Sequence, residues 1–359
     1  MRKPNIRSAR DSFSLCRLGW RAGVGALVLV GCASTPDPYV EDLHASERIA
    51  DELERDGYYA LARHQLRVTA NEADAERKGP LELRRCNLFR REREFDLARR
   101  CYRDLEQNVL PADQAEARFR FAAVEVELGR EKQARQGLEA LIVDQPSTEA
   151  AEKAARYLLE LVGELGADER VALARRLAES LRPQASFDAN VRALCSFFLL
   201  DVGRVEHARG RWSSSWSALE EGWAQGQDTL WRDELQLARA RTARDAERDE
   251  LALALYRAML DDRESAWFFG NYDSPYLDNA AWEYGQLLET LGRNVEAVAA
   301  YEELINEFRH SSFIDDAAFA SARLQLGEGD DKALRRFITS YPSSRHVSAA
   351  RRLLGDTTE

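Results

Sequence analysis

The chain has 359 residues, of which 45% are apolar and 31% charged, with nine prolines and twenty glycines. That is the composition of a folded, helix-prone protein, long enough for two or three domains or one repeat array. Its net charge of −11 repels phosphate backbones and argues against nucleic acid as a partner.

Residues 1–31 carry six basic side chains against Asp11 alone, a local +5 that leaves the remainder at −16. Basic residues extend to Arg21, and the apolar run 22–30 comes next, too short to span a bilayer as a stable helix. This order reads as a cleaved secretory leader. Directly after it stands Leu29-Val30-Gly31-Cys32, which resembles the bacterial lipobox. The resemblance implies cleavage before Cys32, diacylglycerol on its thiol and an acyl group on the new amine, with no other cofactor. Acyl chains, at about 0.8 kcal/mol per buried CH₂, would hold the chain to a membrane without help from charge. An ordinary secretory leader with a chance cysteine, or a membrane anchor, is the alternative. Residues 32–45 are expected to be a tether, stiffened by Pro36 and Pro38. By the same resemblance, Ala33 in place of Asp directs the chain to the outer membrane, on its periplasmic face.

From residue 46 onward the pattern is helical periodicity broken by short turns. A Gly with a small residue five places later occurs at Gly57 and Ala62, Gly129 and Ala134, Gly166 and Val171, Gly203 and Ala208, and Gly292 and Ala297. Ala98 joins without its Gly, because Arg93 stands there. Ala62, Ala98, Ala134, Val171 and Ala208 lie 36, 36, 37 and 37 residues apart. Large apolar residues stand at +4 and +7, as in Tyr102 and Leu105, Leu138 and Leu141, Tyr256 and Met259, and Tyr301 and Leu304. Pro111, Pro146 and Pro183 fall where each second helix should stop. The unit is a helix hairpin that cannot cover its own apolar faces and so must stack on its neighbours.

The pattern resembles the tetratricopeptide repeat family, best over residues 278–311 and next over 115–148. The resemblance implies an all-α, right-handed solenoid whose concave face, built from first helices, holds partner peptides. Carried over position by position, that face includes Asn279, Trp282, Gln286 and Glu289, and in the earlier repeat Glu116, Phe119, Ala123 and Val126. The intervals from Ala208 to Ala252 (44) and from Ala252 to Ala297 (45) are too long for a plain array. The expected division is therefore a repeat array over 46–210, an irregular Trp-rich stretch over 211–270, and further repeats over 271–359. Two near copies 37 residues apart begin at Asp273 and His310, and Tyr341 to His346 starts a third. They resemble helix starts in periplasmic repeat proteins of the Tol–Pal system and in the lipoprotein of the barrel-assembly machinery.

Little in the sequence points to chemistry. Cys86 and Cys101 fall on the two helices of one hairpin, where a disulfide or two buried thiols both fit, while Cys195 reads as core. The five histidines show no metal-ligand spacing. The acidic run Gly327 to Asp331 reads as a turn sooner than a calcium loop. Nucleophile elbow and phosphate loop are lacking, so no catalytic set and no enzyme are expected. Arginines interleave with carboxylates as on a solvated helix face. Trp212, Trp216, Trp223 and Trp231 recur at 4, 7 and 8 residues, and Trp267, Phe268, Phe269, Tyr272 and Tyr276 form a second cluster. These aromatics suit either inter-repeat packing or a groove that stacks a glycan or peptide. The expected function is a lipid-anchored envelope scaffold that binds partner proteins or peptides. The alternatives are an outer-membrane protein assembly factor and a glycan-binding accessory to a peptidoglycan enzyme.

Overall fold

The computed structural model describes residues 38–262, 274–327 and 329–355, and every regular element among them is an α-helix. The first four hairpins pair α1 (Pro38–Arg55) with α2 (Tyr59–Glu72), α3 (Ala75–Arg91) with α4 (Phe95–Leu105), α5 (Pro111–Glu127) with α6 (Glu131–Asp144), and α7 (Glu149–Gly163) with α8 (Ala167–Ala185). The next four pair α9 (Ala189–Ala208) with α10 (Trp212–Gly226), α11 (Arg232–Asp245) with α12 (Asp249–Asp261), α13 (Leu277–Thr290) with α14 (Asn294–Glu307), and α15 (Ile314–Gly327) with α16 (Asp331–Ser340). A short α17 (Val347–Leu353) comes last. Each helix packs on the next, and first helices also touch across hairpins, α3 on α5, α5 on α7, α9 on α11 and α11 on α13. That is an α-solenoid of tetratricopeptide-like hairpins. No described helix is long and apolar enough to cross a membrane.

One backbone device builds seven of the eight turns. Gly57, Arg93, Gly129, Gly210, Glu247, Gly292 and Gly329 all sit in the left-handed region, at φ between 57° and 96°. In each case the next residue's N–H donates to the carbonyl five residues back, from Tyr58 to Leu53 through Asp330 to Gln325, at 2.8–3.0 Å. This bond closes the first helix and aims the chain into the second. Arg93 and Glu247 hold the conformation without being glycine, at a cost of about 1 kcal/mol each.

The turn sets the packing of the second helix. Five residues beyond it, Ala62, Ala98, Ala134, Ser215, Ala252 and Ala297 are fully buried, and four further on so are Leu66, Tyr102, Leu138, Leu219, Tyr256 and Tyr301. A small side chain lets the two helices approach, and the large one fills the seam one turn later.

The structure corrects several sequence expectations. Gly203 is not a turn residue. It lies inside α9 with Leu219 packed against it, and the true pair is Gly210 with Ser215. The step from Ser215 to Ala252 is therefore a regular 37. The long interval moves to the turns at Gly166 and Gly210, 44 apart, because α8 and α9 run to 19 and 20 residues. The excess of seven is two helical turns, which keeps the buried faces in phase. Gly166, at φ 138°, lacks the closing bond, and Ala174 is buried in place of half-buried Val171. Pro183 does not stop α8, which continues to Ala185; the proline lies in its last turn, where little helix remains to disrupt. The boundary expected at 210/211 falls within the hairpin of α9 and α10. Helix α1 begins at Pro38, so the tether expected over 32–45 ends earlier; proline suits a first helical position. Cys32, Trp267, Phe268, Phe269 and Tyr272 lie outside the described residues.

Close approach of α13 and α14 depends on Gly285, where a Cβ would stand 2.5 Å from the Tyr301 ring. G285A should lower stability by about 1–3 kcal/mol. In G137A the new Cβ meets only the Ala122 Cβ, at 3.7 Å, so that variant should gain about 0.5–1 kcal/mol. Thermal denaturation of both checks the pair.

Candidate functional site

The copied helix starts form a ladder between hairpins. Ser274, Ser311 and Ser344 each accept a hydrogen bond from the N–H two residues on, at 3.1–3.4 Å. Thr229 does the same for Trp231 at 3.3 Å, so the motif begins one repeat earlier than its sequence copies suggest. Ser311 then donates to Asp278 of the preceding hairpin at 2.9 Å, and Ser344 donates to Asp315 at 2.7 Å. The aromatic two residues past the hydroxyl stacks on the preceding first helix. Phe197 meets Trp231 at 5.1 Å, Trp282 meets Phe313 at 5.7 Å, and Phe319 meets His346 at 4.6 Å.

Three of the four positions expected on the C-terminal face come together. Trp282, Gln286 and Glu289 line an open cleft of ≈ 290 Å³, with Phe319, Arg323 and His346 from the next hairpin and α17 approach. Gln286 and Arg323 are exposed. Arg323 pairs with Glu289, which also accepts from the buried Tyr301 hydroxyl at 3.2 Å. Trp282 has a second duty, since it lies between Tyr301, at 5.4 Å, and Phe313. Asn279 is not in this cleft; its amide donates to the Pro275 carbonyl and to Asp278 at the helix start. Glu116 binds Arg120 and, across the seam to α7, Lys153. Phe119 lies edge-on to Tyr157 at 6.2 Å, with Arg120 over its ring. Ala123 is buried, and Val126 is half-buried.

Cys86 of α3 and Cys101 of α4 are joined by a disulfide, their Cα atoms 5.5 Å apart. Beside it the buried Tyr102 hydroxyl, pushed up to about 12 by burial, donates to Asn87 at 2.6 Å. Cys195 is a buried free thiol, also pushed up to about 12 by burial. The tryptophans of 212–231 are packing residues. Arg248 and Arg239 cover Trp216, Arg239 also covers Trp223, Arg156 covers the buried Trp231, and Trp212 lies edge-on to His207.

One polar chain has the order of a nucleophile, base and acid. Asp245 is 3.0 Å from His207 Nε2, and His207 Nδ1 is 3.1 Å from the Thr242 hydroxyl. Thr242 is buried and shares its hydroxyl with Ser215, which donates to the Gly203 carbonyl. The chain ties α9, α10 and α11 together and offers no accessible nucleophile. Among the described residues no group of three or more His, Cys, Asp or Glu is placed to hold a metal. Asp330 caps α16 through the Lys332 N–H at 2.9 Å.

No protein-family model and no curated protein matches the sequence. Solved structures similar to it include the C-terminal part of a TPR repeat-containing protein from Cytophaga hutchinsonii, with 13% identity and TM-score 0.42, covering 75% of this chain and 98% of that one. A tetratricopeptide repeat protein from Parabacteroides merdae shows 12% identity and TM-score 0.34, covering 78% and 99%. An assembly chaperone of RpL4 shows 18% identity and TM-score 0.37, covering 71% and 99%.

Sequence reasoning missed the seam function of the interleaved charges. Arg170 binds Asp201, Arg241 and Arg244 bind Glu283, and Arg257 binds Glu303, each across a hairpin boundary. The signal was available as Arg–acid pairs one repeat apart, not as i,i+4 spacing.

Replacing both members of the disulfide, C86S/C101S, should cost roughly 2–4 kcal/mol for this 15-residue separation, read from denaturant unfolding under non-reducing conditions. At Asp316, burial raises the carboxyl, but hydrogen bonds from His346 and Arg345 outweigh it and hold it below the usual carboxylate range. The folded value lies below the unfolded one, so this contact stabilises fully above about pH 4 and fades as pH falls further. Protection of the α17 amides, taken relative to intrinsic exchange at each pH, should fall below about pH 4 in the wild type, and D316N should abolish that component.

Proposed function

We propose that this chain is an exported scaffold, anchored by lipid on Cys32 to the periplasmic face of the outer membrane, that holds partner proteins or peptides along its first helices. The carrying observation is the convergence of Trp282, Gln286 and Glu289 with Phe319 and Arg323 in one open cleft. An aromatic wall beside exposed amide and guanidinium donors suits an extended peptide, whose main chain needs donors and whose side chains need apolar contact. The leader and lipobox order supplies the export half of the reading. The Cys86–Cys101 bridge supports it independently, since disulfides persist in oxidising compartments. The role is non-catalytic. An assembly factor for outer-membrane proteins is the second reading, favoured by a helix-start motif that recurs at α11, α13, α15 and α17. A glycan platform is less well supported, because arginines already cover faces of Trp216, Trp223 and Trp231.

Trp282 is a poor test residue because it also holds the seam. Gln286 and Arg323 are exposed, so Q286A/R323Q should keep the wild-type melting temperature. A photo-cross-linker at Gln286 should capture envelope proteins in cells, and Q286A/R323Q should cut co-purification of the same proteins at least fivefold. Unchanged co-purification would remove the cleft from the function. Mass spectrometry of the membrane-extracted protein should show a diacylglycerol-modified Cys32 as the first residue, and C32A should be released from the membrane fraction.

A further inference from the structure

The second hairpin departs from the charge of the chain. Residues 75–105 contain ten Lys and Arg against six Asp and Glu, a local +4 in a chain of −11, which leaves −15 elsewhere. Four arginines of this region, Arg84, Arg90, Arg91 and Arg93, with Arg120 of α5, face one open cleft of ≈ 750 Å³ with only Glu54 and Glu127 as lining carboxylates. The volume is within the range of ligand clefts, about 300–1,000 Å³. The walls come chiefly from α1, α3 and α5, the first helices of three consecutive hairpins, with Arg93 and Phe95 at the turn into α4.

Arg84 is neutralised by Asp51 and Glu54, and Arg120 by Glu116. The other three cations are less completely paired: Arg91 has only a share of Glu54, and its side chain is 60% exposed. Arg90 reaches Glu127 at 3.2 Å, but its Nε is buried with no hydrogen-bond acceptor among the described residues. Arg93 has no ion pair among the described residues. It also occupies the left-handed turn position that five other turns give to glycine. Asn87, fixed through its carbonyl by the Tyr102 hydroxyl, adds an amide donor to the lining. The disulfide fastens α3, which carries three of the arginines, to α4.

We propose that this cleft binds an extended acidic peptide segment of a partner protein, through Asp or Glu side chains. The inference rests on the scaffold reading and names the partner's chemistry. Guanidinium forks match carboxylates in bidentate geometry. A short acidic strand fits within the cationic cleft. A duplex or an anionic bilayer extends beyond it and meets the −15 of the remaining chain.

The test is fluorescence anisotropy on the full chain purified in detergent. The probe is a fluorescein-labelled, C-amidated decapeptide of alternating glutamate and glycine, compared with its glutamine–glycine counterpart. The wild type should prefer the glutamate peptide at least tenfold, with affinity falling as salt rises. R91Q/R93G should lose at least tenfold. R93G alone should lose at least threefold while its melting temperature stays level or rises, because glycine relaxes the turn. That combination separates the guanidinium from the fold. Equal affinity for the two peptides, or full affinity in R91Q/R93G, overturns the proposal. So does displacement of the peptide by phosphatidylglycerol vesicles at lower total charge, which would assign the cleft to a membrane surface. If the peptide fails while Gln286 still cross-links envelope partners, the acidic ligand alone is lost and the scaffold stands.

Discussion

A residue in the left-handed region, with a hydrogen bond back across five residues just after it, ends the first helix of seven hairpins. The closure has little energy of its own, comparable to any helix cap. Its importance is geometric. It sets the second helix in a fixed phase, so in six of the seven the fifth residue beyond it faces the first helix at closest range and is small, Leu334 after Gly329 being the exception. In those six the ninth then falls in the seam and is Leu or Tyr. Where the closure is missing, at Gly166, α7 and α8 pack loosely, and α8 makes its main contact with α9 instead. The irregular centre of the array therefore begins at a turn, not at the tryptophans.

Stacking the hairpins draws on two kinds of contact of unequal weight. Apolar burial at about 25 cal/mol per Å² supplies most of the stabilisation. The exposed inter-repeat ion pairs are worth about 0–1 kcal/mol apiece. A few carboxylates are different because they are nearly buried. Glu283 takes Arg241, Arg244 and the Tyr256 hydroxyl, and Glu125 takes Arg99 and Arg130. Stripping the partners from such a group leaves a charge without water, which costs far more than the pair gains. These pairs specify which hairpin sits beside which, while the aromatic ladder from Phe197 to His346 supplies the cohesion.

The repeat, its 36–37 residue step and the buried residues at +4 and +7 were legible in the sequence, because a small residue after a turn and a large one a helical turn later have a single geometric meaning. Gly203 was misread because a mid-helix glycine relieved by Leu219 looks the same in sequence as a turn glycine. Gly210, seven residues on, fits the same template equally well. At the cleft, one helix face was enough to find Trp282, Gln286 and Glu289. Phe319, Arg323 and His346 come from the next hairpin and α17, and a single repeat cannot announce them. The arginine cleft was hidden for another reason. A net charge averages over the whole chain, and −15 elsewhere conceals +4 in one hairpin.

The disulfide and the buried thiol bear on each other. A chain with a disulfide and a further free cysteine risks exchange, since a thiolate attacks a disulfide and reshuffles it. Cys195 is withheld from that reaction twice, by burial within α9 and by a proton that burial pushes up to about 12. At neutral pH almost none of it is thiolate, and the bridge at Cys86 and Cys101 has no thiolate competitor among the described residues. The bridge lies in the hairpin whose first helix carries Arg84, Arg90 and Arg91. Cationic side chains crowded on one helix repel each other, and the repulsion favours fraying of that hairpin. A covalent tie between its two helices opposes the fraying without neutralising the charge. The pairing of these cysteines and the basic cleft are thus linked: the covalent tie holds together a hairpin whose exposed cations packing alone would have to retain.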